Sequence, residues 1–448
     1  MLIPPPRDQR STPKVRKRLA ADPLFGLVRS GVEKIIDHRH EKATISLADA
    51  LMSAFAMFSL KDPSLLAFDA RRRDENMKNL YGIEIVPSDT RMREILDPVA
   101  PSALRPLFVD MFRELQRGKA LEPFVFYQGH FLLSLDGTGY FSSQAVHCDS
   151  CLEKVNSKTG EVTYHHQMLG AVLLHPDHRE VIPLAPEPIQ KQDGTTKNDC
   201  ERNAAKRLLR QIRKEHPRLK LIVVEDALAS NGPHIRELMD LKMHYILGVK
   251  SGDHQSLFNH VERAYAEDQL NFIPWQEGDT WCEIGFINGV PLNDSNQDLL
   301  VNFLEYSEYD QDGTRLKYFS WITDIRITEK NAGWLMRGGR ARWKIENETF
   351  NTLKNHGYHF EHNYGHGNQN LSVVFAMLMM LAFLVDQIQQ LCCLLFRAVW
   401  KKVGSKRVLW ERIRSHYWHF TFYSMQHLYE VILHDLAKGI PAPTFDTS

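Results

Sequence analysis

Apolar positions set the first division of the chain. From about residue 42 they recur at helical spacing: in "SLADALMSAFAMFSL", Leu47, Ala50, Leu51, Ala54, Phe55 and Phe58 share one face behind a Ser46 cap. A second helix is predicted after Pro87-Ser88, carrying Arg91 and Arg93, with the basic triplet Arg71, Arg72 and Arg73 ahead of it. Near residue 121 the period changes. "HFLLSLDGTGYF" predicts a strand ending at Asp136 and followed by a Gly-flanked turn, and "HHQMLGAVLLHP" and "REVIPLAPEPI" predict two more strands. "KNDCERNAAKRLLRQIRKEH" is amphipathic, with acids early and bases late as the helix dipole favours. A strand running into Asp226, a helix from about Pro233 and a strand ending at Lys250 complete the alternation, which describes a mixed α/β sheet.

Residues 251–330 break that rhythm with aromatic-rich runs between Gly, Asn and Asp turns, predicting a β insertion. A helix follows over roughly 332–356, stopped by Gly357. The run "LSVVFAMLMMLAFLV" is shorter than the roughly 20 residues of a membrane span, so a buried helix is expected there and no membrane partner. The division that results is 1–40 flexible and basic, 41–120 helical, 121–250 and 331–390 a split α/β core around 251–330, and 391–448 a basic helical tail.

Composition alters this picture little. Apolar residues make up 43% and charged residues 25%, and formal net charge is zero, so local basic patches rather than a global field must hold any polyanion. The first 20 residues are Pro-rich, with six Lys/Arg against one Asp, and lack the apolar core of a signal peptide. Six scattered cysteines form no disulfide framework, and a reducing cytoplasm is the simple expectation.

The candidate chemistry lies in three acids. Asp136 and Asp226 close strands that can lie side by side, and Glu346 sits on the later helix, so the three carboxylates can converge. Oxygen-only donors without Cys or His suit Mg²⁺, with Mn²⁺ as substitute. Two such ions roughly 3.5–4 Å apart serve phosphodiester chemistry. Singly each acid is weak evidence, since an aspartate closing a strand is commonly a turn former or cap.

With "LSLDGTGYF", "VVEDALASNGPHI" and "RGGRARWKIENETFNTLK" in that order, the chain resembles the cut-and-paste DDE transposases of bacterial insertion sequences, the group with a Tyr-Arg-Glu-Lys signature. The resemblance covers roughly residues 40–385. It implies a ribonuclease-H-like fold in which Asp136, Asp226 and Glu346 ligate the catalytic metals, and Arg342, four residues before Glu346, contacts a DNA phosphate. Two positions depart from the signature: Gly339 stands where it has Tyr, and Leu353 where it has Lys, with Lys354 next. On an uninterrupted α-helix Leu353 lies about 20° from Glu346 and Lys354 about 80°. Glu348, about 200° away, is the rival third acid. Ile345, Phe350 and Leu353 are expected to hold the helix against the sheet.

The implied partners are double-stranded DNA, as element terminal repeats and as target, and a second copy in the DNA complex. The helices of 41–120 are assigned to end recognition, and Lys250, Arg337, Arg340 and tail lysines 401, 402 and 406 to the DNA backbone. Two alternatives remain open: a nuclease of the same fold without strand transfer, and an inactive DNA-binding relic. Cys148-x2-Cys151 with His165 and His166 are ligand types suited to zinc, but without the paired spacing of a finger, and a loop with free thiols is preferred. Trp275, Trp281, Tyr306 and Trp321 suit either base stacking or strand packing. "HNYGHG", with His362 and His366, reads as a loop whose spacing demands no metal.

Overall fold

The computed structural model describes residues 16–40, 42–191 and 199–436. It divides into a sheet unit, whose described residues are 121–138, 167–191 and 199–350, and a helical unit of 16–40, 42–120, 139–166 and 351–436.

The strands are β1 (Val125–Tyr127), β2 (His130–Ser143), β3 (Leu152–Val155), β4 (Val162–Leu174), β5 (Ile182–Pro183), β6 (Glu187–Ile189), β7 (Leu221–Glu225), β8 (His244–Gly248), β9 (Asn271–Glu277), β10 (Thr280–Pro291), β11 (Leu300–Tyr309) and β12 (Arg315–Thr323). In the sheet unit they run β4-β2-β7-β8-β12-β11-β10-β9. β2, β7 and β8 are parallel neighbours, and β8-β12-β11-β10-β9 are joined antiparallel. The fold is therefore the mixed α/β sheet that the alternation predicts, consistent with a ribonuclease-H-like core. β7 is buried at every position (Leu221 to Glu225), as a central parallel strand covered on both faces must be.

Several predicted boundaries shift. β2 does not end at Asp136; it runs through Gly137-Thr138-Gly139 to Ser143. "REVIPLAPEPI" gives two very short strands, β5 and β6, both paired with β4. β8 ends at Gly248, before Lys250. The predicted insertion opens with a helix, Gln255–Ala266, which buries Leu257, Val261 and Ala264. Its strands are continuous with the core, because β12 pairs with β8 (Ile322 opposite Leu247).

The predicted 332–356 helix is also interrupted. An α-helical segment, Ala332–Ala341, gives way to a turn at Arg342 and Trp343, a π-helical segment Ile345–Phe350, and a last α-helical turn Asn351–Asn355. π turns carry an extra residue per turn and occur frequently at functional sites. The α-helical count applied to Leu353 and Lys354 therefore does not hold past Phe350.

In the helical unit, helices from the beginning and end of the chain share one core. The expectation of a flexible segment to residue 40 fails for Ala21–Val32, a helix burying Leu24, Phe25, Val28 and Val32; residues 1–15 lie outside the described residues. Leu371–Cys392 is apolar and long enough to cross a membrane, but its most apolar 18 residues are entirely buried. Near its end Asp386 binds the fully buried Lys61 at 2.6 Å and accepts from the Tyr358 hydroxyl at 2.5 Å. The Lys61 ammonium also sits 4.2 Å from the centre of the Trp410 ring. Arg71 is likewise buried, paired with both oxygens of Asp62 at 2.9 and 3.0 Å, so this member of the basic triplet is a core residue.

Candidate active site

The parallel pairing of β2 and β7 matches Ser134 with Val224, and Asp136 and Asp226 each stand two residues further on. Neighbouring strands lie about 4.8 Å apart, so this register carries the two aspartates past the paired region side by side. Asp226 follows β7 directly and accepts the Leu228 backbone N–H at 3.0 Å, capping a short 3₁₀ turn. β8 stays close there: a Cβ on Gly248 would lie 3.5 Å from the Asp226 carbonyl carbon.

Glu346 enters from the π-helical segment. Arg342 Nη1 lies 2.9 Å from Glu346 Oε1 and 3.6 Å from Asp136 Oδ2, so one guanidinium bridges both carboxylates. Ile345 is fully buried and Phe350 nearly so. Phe350 packs over Gly170 of β4, where a Cβ would come within 2.9 Å of the ring. These two residues hold the segment as predicted; Leu353 is buried within the helical unit.

Burial pushes the Asp136 carboxyl up to about 7; Arg342 pulls it down, but the Glu346 charge and a shared hydrogen bond with Glu346 push it up again. Two carboxylates in one partly desolvated place cannot both ionise without compensation. Glu348, the rival acid, instead pairs with Arg179 at 3.2 Å.

A fourth acid was not singled out from the sequence. Glu201, at the start of the Glu201–Glu215 helix, sits where a side chain on residue 137 would be: its Oε1 is 2.1 Å from an ideal Cβ on Gly137. Desolvation by the surrounding protein raises its carboxyl above the ordinary value, and the Asp226 charge adds to this. Its place at a helix start among acidic residues carried no signal of convergence. Trp343, about half exposed, lies under the Arg342 guanidinium at 4.9 Å and was also passed over.

The remaining candidates have these neighbours. Arg340 lies over Tyr306 and Phe319 and 3.6 Å from Glu308. Arg337 pairs with Asp177. Lys250 is exposed just past β8, and Lys354, in the helical unit, binds Glu361 at 2.8 Å. Of the four aromatic residues of the insertion, Trp275 stacks on Tyr306 at 5.8 Å, Tyr306 stands opposite Phe319, and Trp321 stacks on Phe319 at 5.9 Å, while Trp281 is exposed. Trp321 accounts for the missing signature tyrosine, since its indole lies 2.5 Å from where a Cβ on Gly339 would start.

The oxygen-only donor set, with the Asp136 carboxyl raised first by burial and then by the nearby Glu346 charge, fits a hard divalent cation. No curated protein matches the chain. The profile of the transposase DDE domain family matches residues 154–384, about half of the chain, a span that takes in Asp226 and Glu346 and begins after Asp136. DDE transposases generally act on DNA with divalent metal ions. The chain belongs to this family of transposase DDE domains.

Proposed function

We propose that the chain cleaves DNA at the ends of its element and joins the freed ends to target DNA, using Asp136, Asp226 and Glu346. The observation that carries this reading is the Asp136–Arg342–Glu346 cluster beside the register position of Asp226. A carboxyl that burial, and the second carboxylate beside it, raise to about 7 in spite of Arg342 is a site that further positive charge would stabilise. The three acids would hold Mg²⁺, or Mn²⁺ in its place, which when bound activates the attacking oxygen and stabilises the leaving oxygen of a phosphodiester. Glu201 adds negative charge near Asp226.

The protein's own cations bind the substrate. Arg342 stands within reach of the acids and turns to a backbone phosphate at the scissile position, a planar fork suited to two phosphate oxygens. Lys250, Arg340 and Lys354 take phosphates further along the duplex, and Trp343 offers an exposed ring for stacking. The helices of 42–120 recognise the terminal repeat, and pairing of two ends requires two copies of the chain.

The test is Mg²⁺-dependent cleavage and joining of a duplex carrying the element's own terminal sequence. Wild type nicks at the end and joins a precleaved end to a second duplex; Asp136→Asn, Asp226→Asn and Glu346→Gln each lower both by roughly 100-fold or more, as loss of several kcal/mol of charge stabilisation requires. Cleavage without joining identifies a nuclease. Wild type indistinguishable from Asp136→Asn identifies an inactive relic, and either result overturns the proposal.

A further inference from the structure

Away from these acids, four metal-ligating side chains meet inside the helical unit: Cys148, Cys151, His166 and His366, all buried. Cys148 and Cys151 lie in the loop between β2 and β3, His166 on β4, and His366 in the loop before the Leu371–Cys392 helix. The His next to the CxxC that faces it is thus His166 rather than His165, and the fourth member comes from a part of the chain far away in sequence.

The separations have a specific meaning. A tetrahedral zinc ion with Zn–S near 2.3 Å and Zn–N near 2.0–2.1 Å requires sulfurs about 3.8 Å apart and sulfur–nitrogen edges of about 3.5–3.6 Å. The two Sγ atoms are 3.8 Å apart. His166 Nε2 is 3.5 Å from each sulfur, and His366 Nε2 is 3.3 Å from Cys151 Sγ. All four ligand atoms lie within 4.8 Å of one another. A disulfide needs its sulfurs near 2.05 Å, so at 3.8 Å these two are not joined by one.

We propose that these four residues bind one structural Zn²⁺. Two thiolates and two neutral imidazoles balance the ion's charge, so the site can be buried without leaving an isolated charge. Four protein ligands close the coordination sphere, which is the pattern of structural rather than catalytic zinc. The sulfur and imidazole donors also separate this site from the oxygen-only acids: borderline-soft zinc goes to one and hard Mg²⁺ to the other.

The surroundings fix the ligands before the ion arrives. The Cys148 backbone N–H donates to Cys151 Sγ at 3.4 Å. The loop holding His366 is anchored by Asp97, whose carboxylate accepts four successive backbone N–H groups, from Asn368 to Leu371, at 2.9–3.0 Å. Gly367, at φ +69°, is required there, because a Cβ would lie 2.3 Å from Asp97 Oδ1. Phe141 packs against the His366 ring at 4.3 Å, and Tyr140 stacks on His166. Nδ1 of each histidine is buried without a hydrogen-bond partner, so ring orientation rests on this packing. Zinc would fasten the β2–β3 loop and β4 to the chain entering the long buried helix.

The test is metal analysis of the full chain purified under reducing conditions without chelator. One zinc per chain is expected, with two sulfurs at about 2.3 Å and two nitrogens at about 2.0–2.1 Å by X-ray absorption. Exchange with cobalt should give the thiolate charge-transfer and intense visible bands of a tetrahedral ion. Cys151→Ser and His366→Asn should lose the metal, whereas Cys200→Ser, at an exposed cysteine, should keep it. Absence of stoichiometric zinc together with no cobalt–thiolate bands in the wild type, or a Cys148–Cys151 disulfide in the fresh protein, overturns the proposal even if the ligand variants fail to fold.

Discussion

Replacing Asp136 with asparagine should stabilise the metal-free protein, and only above a definite pH. The carboxyl rises from 3.8 to about 7, roughly three units at about 1.36 kcal/mol each, which sets a ceiling near 4 kcal/mol. The side chain is 22% exposed, and water screens part of the repulsion, so about 2 kcal/mol is the working expectation. The folded-state pKa lies above the unfolded one, so the protonated form favours folding. That contribution is whole below about pH 4 and is lost as pH rises through about 7. At pH 8 the wild type therefore bears the cost of an ionised Asp136 that is largely buried and stands beside Glu346, whereas asparagine keeps the Gly137 N–H partner and removes the charge. Urea denaturation in EDTA across pH 4.5–8 is the assay. The Asp136→Asn variant should gain about 2 kcal/mol at pH 8 and little near pH 4.5, and saturating Mg²⁺ should stabilise the wild type but not the variant. A variant less stable than wild type at pH 8, or a difference that does not change with pH, would refute the reasoning.

Gly339→Tyr, which restores the signature residue, should destabilise the chain by about 1–3 kcal/mol or more in urea, because Trp321 occupies the space; Trp321→Ala should relieve much of that loss. Lys61→Ala should cost about 3–5 kcal/mol by leaving Asp386 charged and buried, while Lys61→Met with Asp386→Leu should recover most of it in the same assay. His234 Nε2 donates to Glu225 Oε2 at 2.6 Å; burial lowers its pKa, but the Glu225 charge and hydrogen bond, with the Glu237 charge, together outweigh this and leave it raised. Its contribution is present below about pH 6.5 and lost as pH rises through the raised folded value, so Glu225→Gln should flatten the stability profile in that window.

What the sequence disclosed follows from the range of each signal. The core order was legible because each strand and helix between 121 and 250 carries its own period and terminators, as in "LKLIVVED" followed by Pro233. The helix Gln255–Ala266 was legible too, from Leu257, Val261 and Ala264 at helical spacing, but the aromatic strands after it drew the whole segment into a β reading. Gly137 and Gly139 suggested a turn because glycine usually marks one; at Gly137 the actual requirement is room for Glu201, which no local pattern reveals. The π-helical segment likewise has no simple sequence period, so the position of Lys354 could not be counted from Glu346. Cys148, Cys151, His165 and His166 were visible as zinc ligand types, but the fourth member of the cluster is His366, supplied from a distant loop, in place of His165. Trp321 against Gly339 is a contact across the sheet, and the departure from the signature had no explanation until the two were seen together.

The most direct measurement is a crystal structure of the full chain soaked in Mn²⁺, with the ion located by its anomalous scattering. Manganese is expected between the carboxylates of Asp136, Asp226 and Glu346, with Arg342 no longer bridging the first and last of these. Manganese bound elsewhere, or Asp226 still capping Leu228 with no ion beside it, would contradict this expectation.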